Sequence, residues 1–329
     1  MRAPFTLAWV VPAFLFSTTL LTGCDDDTAP PAMDLASSAA DLSVAVGPDL
    51  SVKAVQRGPL SVPLTFEPAG LFWDDGTKSL YISTSSSQIV RWSDDGEVKP
   101  VANLANLAVP ATGTLGQLVK LADGTILVTS FGTSSTGAQG VNGNVIAITP
   151  DGTAAPVPGL DHKRRRIGLA VAADGTIYDG YFTADMMMNH VGAVAKLSLT
   201  TGETDVVTGL KKPVGLVVIG SELFIADQDQ GVVLKTSATA PTTPSQFALN
   251  APDVDELAAG AAGQLFAGTR TTKVYRIAAD GTVSDFATDF RATRGVAYDA
   301  TNKRLFVSEP DGSDKDAGVM PVLRILPVD

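Results

Sequence analysis

The stretch Pro213–Val233 reads PVGLVVIGSELFIADQDQGVV. Two short apolar runs stand on either side of Gly220-Ser221, and a third begins after DQDQG. Runs of this length, rich in Val and Ile and punctuated by Gly, Ser and Asp, are strands joined by tight turns rather than helices. Working outward from it, the same unit recurs after residue 60. Its first strand is AGLFWD with Gly70, LGQLVKL with Gly116, IGLAVAA with Gly168, VGLVVIG with Gly215, DELAAG with Glu256 in place of the glycine, and RGVAYD with Gly295. The markers stand roughly 40–50 residues apart, a period that belongs to four-stranded propeller blades.

Each marker is followed by a second strand, from Leu80, Ile126, Ile177, Leu223, Leu265 and Leu305. A third strand then ends in Asp95-Gly96, Asp151-Gly152, Thr201-Gly202 or Asp280-Gly281, dipeptides suited to the positive φ of hairpin turns. The chain ends on VLRILPVD, a third strand without a fourth, and SVPLTF (Ser61–Phe66) precedes the first blade. The expected fold is therefore an all-β, six-bladed β-propeller spanning 58–329, with that N-terminal strand closing the last blade.

These residues resemble the NHL-repeat and gluconolactonase-like (senescence marker protein) six-bladed propellers, and Pro213–Val233 is the copy nearest their repeat. The resemblance covers about 60–329. It implies a divalent metal at the channel mouth, held by Glu, Asn and Asp side chains, several of them just before the first-strand glycine. The matching positions here are Ala69, Leu115, Ile167, Val214, Asp255 and Arg294. Four of them offer no oxygen, so Ca2+ or another divalent cation is expected only if Asp255 and Glu256 recruit ligands from loops.

Other chemistry is sparse. The chain has His162 and His190 and no other histidine, so no hydrolase triad can be assigned. His190, in DMMMNH, is the candidate general base for lyase chemistry because its charge can change near neutral pH. Asp255 is the candidate acid or base of a metal-dependent hydrolase. The acidic loop with Asp311, Asp314 and Asp316 lacks the spacing of a calcium loop.

The start of the chain reads as a lipoprotein export signal. Arg2 precedes the apolar run Ala3–Gly23, and Leu21-Thr22-Gly23-Cys24 resembles a bacterial lipobox using the chain's single cysteine. The expected divisions are a signal peptide over 1–23, a lipidated acidic tether over 24–57, rich in Asp, Ala, Ser and Pro, and the propeller. Cys24 would carry the lipid, fixing the chain to a membrane with its head in the periplasm or outside the cell.

A net charge of -11 excludes nucleic acid as a natural partner. Yet Arg164, Arg165, Arg166, Lys211, Lys212, Arg291 and Arg294 fall on blade connections that emerge on one face, together with the long loops of blades 2, 3 and 6 and their Met186–Met188. That face is the expected binding face, suited to an anionic glycan, a cell-envelope component or an acidic protein. The leading expectation from sequence is a non-catalytic binding or scaffolding propeller. The alternative is an extracytoplasmic metal-dependent hydrolase (lactonase) or lyase with a divergent site.

Overall fold

The computed structural model describes residues 60–107, 113–132, 143–184, 189–310 and 320–329. Cys24, the expected signal and tether, Met186–Met188 and the Asp311–Asp316 loop lie outside the described residues. Among those described, no helix is long and apolar enough to cross a membrane.

The described chain forms six four-stranded antiparallel sheets. Five are built from consecutive strands, and their innermost strands are Pro68–Asp74, Leu115–Lys120, Arg165–Val171, Pro213–Ile219 and Val254–Ala259. The sixth takes Val296–Asp299, Arg304–Glu309 and Val322–Pro327 from the C-terminal end and borrows Leu60–Pro63 as its outer strand. Leu60 faces Ile325 and Pro63 faces Val322, so the two ends of the domain close the ring by strand pairing. The closing strand is shorter than the expected Ser61–Phe66 and starts one residue earlier. At Leu64 the chain leaves the ladder with one last bond, its amide donating to Pro321 O at 2.8 Å.

Burial follows the order of strands within a blade. The second strands Ser79–Thr84, Ile126–Ser130, Leu265–Thr269 and Arg304–Glu309 are buried at every position, because neighbouring blades cover both of their faces. Such strands read as continuous apolar runs rather than alternating ones. The outer strand Val98–Asn103 is largely exposed and alternates little. Each gap between blades has its own apolar cluster. Between blades 6 and 1, Trp73 stacks on Phe306 at 5.1 Å and Trp92 meets it edge-on at 5.7 Å.

Around the axis the blades also touch through backbone. A Cβ on Gly70 would stand 2.3 Å from Gly116 O in the next blade, closer than any side chain tolerates. Three second-strand hydroxyls reinforce this contact. Ser83 Oγ donates to Gly116 O (2.8 Å), Thr129 Oγ1 to Ile167 O (2.8 Å) and Ser308 Oγ to Ala69 O (2.7 Å), each in the following blade. The equivalent positions of blades 3, 4 and 5 are Gly180, Ala226 and Gly268, with no hydroxyl to give.

Candidate functional site at the channel mouth

Strand register fixes which residues occupy equivalent places around the axis. Leu71, Leu118, Leu169, Leu216, Leu257 and Val296 pair with Ile82, Val128, Asp179, Ile225, Ala267 and Val307. The residues before them, Gly70, Gln117, Gly168, Gly215, Glu256 and Gly295, therefore form one ring. This corrects the sequence reading in blade 2: Gln117, not Gly116, holds the ring position, and Gly116, not Leu115, precedes it. The glycine in LGQLVKL lies one place early because the close approach to blade 3 involves Gly116, whose Cβ would stand 2.7 Å from Ile167 O.

Blades 2 and 5 face each other across the ring, and both bring a long polar side chain into it. Gln117 is fully used. Its Oε1 accepts from the amides of Leu169 (3.0 Å) and Leu216 (2.8 Å), and its Nε2 donates to Leu216 O and Leu257 O (3.2 Å each). Below Gln117 the channel widens to a cavity of 360 Å³ lined by Phe72, Trp73, Lys120, Val218 and Tyr298. Glu256 is buried, and among the described residues neither of its carboxyl oxygens has a hydrogen-bond partner of good geometry. The second strand of blade 5 approaches the next blade closely. There Gly268 lies so close to Arg294 O that a Cβ would stand 1.9 Å away.

Asp255 precedes Glu256 at the mouth, on the side where connections between blades enter the innermost strands. Only 2% of its side chain is exposed, and its Oδ2 lies 3.8 Å from Arg294 Nε without a hydrogen bond. Burial pushes Asp255 up, against the pull of Arg294, Arg270 and Lys212. Burial, and then the neighbouring Asp255, push Glu256 up to about 8, so at neutral pH it holds its proton. Strongly perturbed, buried carboxyls in a channel mouth are candidate proton-transfer groups.

The mouth also carries cations. Burial pulls Lys212 down, opposed by Asp229 and Asp255 and assisted by Arg270 and Arg165. Its Nζ donates to Gln228 Oε1 at 2.6 Å and lies 5.5 Å from the Phe182 ring centre. Arg165 is also pulled down by burial, with no acid opposing it, and its guanidinium sits 4.7 Å from the Phe131 ring centre. His190 opens the third strand of blade 3. Its Nδ1 is 2.6 Å from Asp229 Oδ2, and its ring meets Phe182 edge-on at 4.8 Å.

The remaining residues of the expected binding face are engaged elsewhere. Arg166 is completely buried, bonded to Asp179 and, at 2.7 and 2.8 Å, to both oxygens of Glu203. Burial pushes Asp179 up to about 6 against the Arg166 charge. Arg164 lies 3.8 Å over the Tyr181 ring and pairs with Asp205 (2.9 Å), whose other oxygen accepts the Tyr181 hydroxyl at 2.7 Å. Arg291 Nε bonds Glu309 at 2.9 Å, and Lys211 is exposed, its backbone amide held by Asp227. Of the seven basic residues, Arg165, Lys212 and Arg294 share the mouth with Asp255. Arg270, Gln117 and Asp229 belong to the same region and were not singled out from sequence.

A divalent cation does not fit these donors. Ca2+ takes six to eight oxygens, and the places just before the ring are Ala69, Gly116, Ile167, Val214, Asp255 and Arg294. They supply one carboxylate and a guanidinium. Among the described residues no three His, Cys, Asp or Glu side chains converge as metal ligands.

No family model and no curated protein matches the chain. Solved structures do. A gluconolactonase from Xanthomonas campestris is 18% identical, with a TM-score of 0.63 over 82% of this chain and 89% of that one. The fold is that of the gluconolactonase and regucalcin propellers. Regucalcin from Agrobacterium tumefaciens, described as a calcium-binding protein, is 12% identical over 81% of this chain and 91% of its own (TM-score 0.61). Virginiamycin B lyase from Staphylococcus aureus is 12% identical over 82% and 99% (TM-score 0.54). At these identities the likeness concerns the fold, and chemistry has to be argued from the site.

Proposed function

We propose that the chain is a hydrolase of the lactonase kind that works at the channel mouth, displayed outside the cytoplasm on a lipid carried by Cys24. The observation that carries this reading is the Asp255–Glu256 pair, two buried carboxyls at the channel mouth with oxygens that have no hydrogen-bond partner among the described residues; burial pushes the pKa of both up, Glu256 to about 8. The gluconolactonase and regucalcin neighbours favour an enzyme over pure scaffolding. In the reaction, water adds to the carbonyl carbon of a lactone or ester while Asp255 takes the water's proton. The carbon–oxygen bond then breaks as Glu256 gives its proton to the departing alkoxide, leaving a carboxylic acid and an alcohol. Proton exchange between the two acids restores the starting state. No step passes through a metal.

The test is a pH-stat assay of the purified domain on a panel of lactones and esters, with chelator present. Asp255→Asn is expected to lower turnover at least about a hundredfold, the range typical of a general base. An equal rate in the variant, or no turnover of any member of the panel, removes the reading and leaves the binding propeller. Cys24→Ser is expected to move the full chain from the membrane fraction to the soluble fraction; continued membrane retention would exclude the lipid anchor.

A further inference from the structure

Most of the inward-lying basic side chains of the domain are neutralised by acids. Arg166 has Asp179 and Glu203, Arg164 has Asp205, Arg304 has Asp94 and Asp299, and Lys120 has Asp74 at 2.6 Å. Single exceptions such as Arg276 lie over aromatic rings, but at the mouth several uncompensated charges lie together. Arg165, Lys212 and the exposed Arg270 make no ion pair within 4.0 Å among the described residues, and Arg294 has only the long contact of 3.8 Å to Asp255. Arg165 comes from the first strand of blade 3, Lys212 from the connection to blade 4, Arg270 from a loop of blade 5 and Arg294 from the connection to blade 6.

These charges act on one another. Lys212 feels Arg270 and Arg165 as well as Asp229 and Asp255, and Asp255 feels Arg294, Arg270 and Lys212. Among the described residues the acids do not balance them: Asp255 and Asp229, the latter also bonded to His190, face four basic groups, and Glu256 is protonated at neutral pH. Arg165 and Lys212 are the basic groups, among those described, whose burial outweighs every attraction they receive. Arg165 Nε and Arg294 Nε are buried donors with no acceptor among the described residues. Buried donors left open in a site of excess positive charge are what an incoming anion satisfies. In a chain of net charge -11, this mouth is where an anionic ligand would be drawn.

We infer that the mouth binds the anionic group of its ligand, a carboxylate or phosphate, between Lys212, Arg270, Arg294 and Arg165, so that the substrate of the proposed reaction is an acid rather than a neutral lactone or ester. This rests on the reading of the mouth as the substrate site. The binding itself is measurable without turnover.

Isothermal titration of the whole domain with malonate and, separately, with inorganic phosphate is expected to show saturable binding, the tighter of the two identifying the group. Lys212→Met and Arg270→Met should each weaken it about tenfold, as expected for loss of one charge-assisted contact. Lys211→Met, which removes an exposed charge one residue away, should leave it unchanged. Asp255→Asn should tighten anion binding severalfold while abolishing turnover. Equal losses in Lys211→Met and Lys212→Met, or no saturable binding of either anion, overturn the inference. Anion binding by a domain that hydrolyses nothing keeps the site and discards the hydrolase. Turnover confined to neutral substrates does the opposite.

Discussion

Gln117 and Glu256 occupy the same place in opposite blades and are treated in opposite ways. Gln117 meets four backbone groups from three other blades, so a polar side chain in the channel ties the ring together. Glu256 meets none with good geometry, and its burial is tolerated because it keeps a proton. A buried polar group contributes when all of its hydrogen-bonding capacity is used and costs when it is not. The ring is thus held together on the Gln117 side and left reactive on the Glu256 side. The hydroxyl links are divided in the same way, being present in blades 6, 1 and 2 and absent in blades 3 to 5.

The largest effect should come from breaking the satisfied side. Gln117→Leu keeps the bulk but leaves the amides of Leu169 and Leu216 and the carbonyls of Leu216 and Leu257 without their partner. At about 1 kcal/mol or more for each stranded group, the loss should reach about 4 kcal/mol. Urea unfolding measures it, and a loss below about 1 kcal/mol would mean that water replaces the amide and that the link is not structural.

A smaller effect, visible as a slope, should come from the unsatisfied side. Glu256 moves from 4.5 to about 8 on folding, so the folded protein holds a proton that the unfolded chain releases across that interval. Its share of stability is intact below pH 4.5 and is lost as pH rises through about 8. Asp179 acts in the same direction but only up to about 6. Glu256→Gln should therefore flatten the decline between pH 6 and 8 and make it shallower between 4.5 and 6, leaving the part due to Asp179 and whatever Asp255 contributes. An unchanged slope in the upper interval would show that Glu256 is ionised in the folded domain.

The blades were legible in the sequence because burial on both faces turns second strands into apolar runs, and turn glycines such as Gly96 and Gly152 take positive φ. The closing strand was legible because an incomplete last blade needs a partner. In blade 2 the sequence marker lies one residue before the ring position, because Gly116 imitates the marker while Gln117 does its work. Asp179 carries a signal in the sequence: it stands in IYDGYF, where the other blades carry Ile82, Val128, Ile225, Ala267 and Val307. The His190–Asp229 contact joins residues 39 positions apart, and no local pattern announces such a pair. The basic face illustrates the same limit. Arg164, Arg165 and Arg166 are consecutive, yet strand geometry sends the first and third to acids and the second to the mouth.

Closure by a borrowed strand also sets an order of events. Ser308 reaches Ala69 across 239 positions, and Leu60 waits for Ile325. Blades 1 to 5 can each pair their own strands as the polypeptide lengthens, but the annulus cannot shut until its final segment has been made. Contacts so distant along the chain are slow to form. A newly synthesised chain therefore spends its elongation as an open arc, with the edges of its first and last blades unpaired.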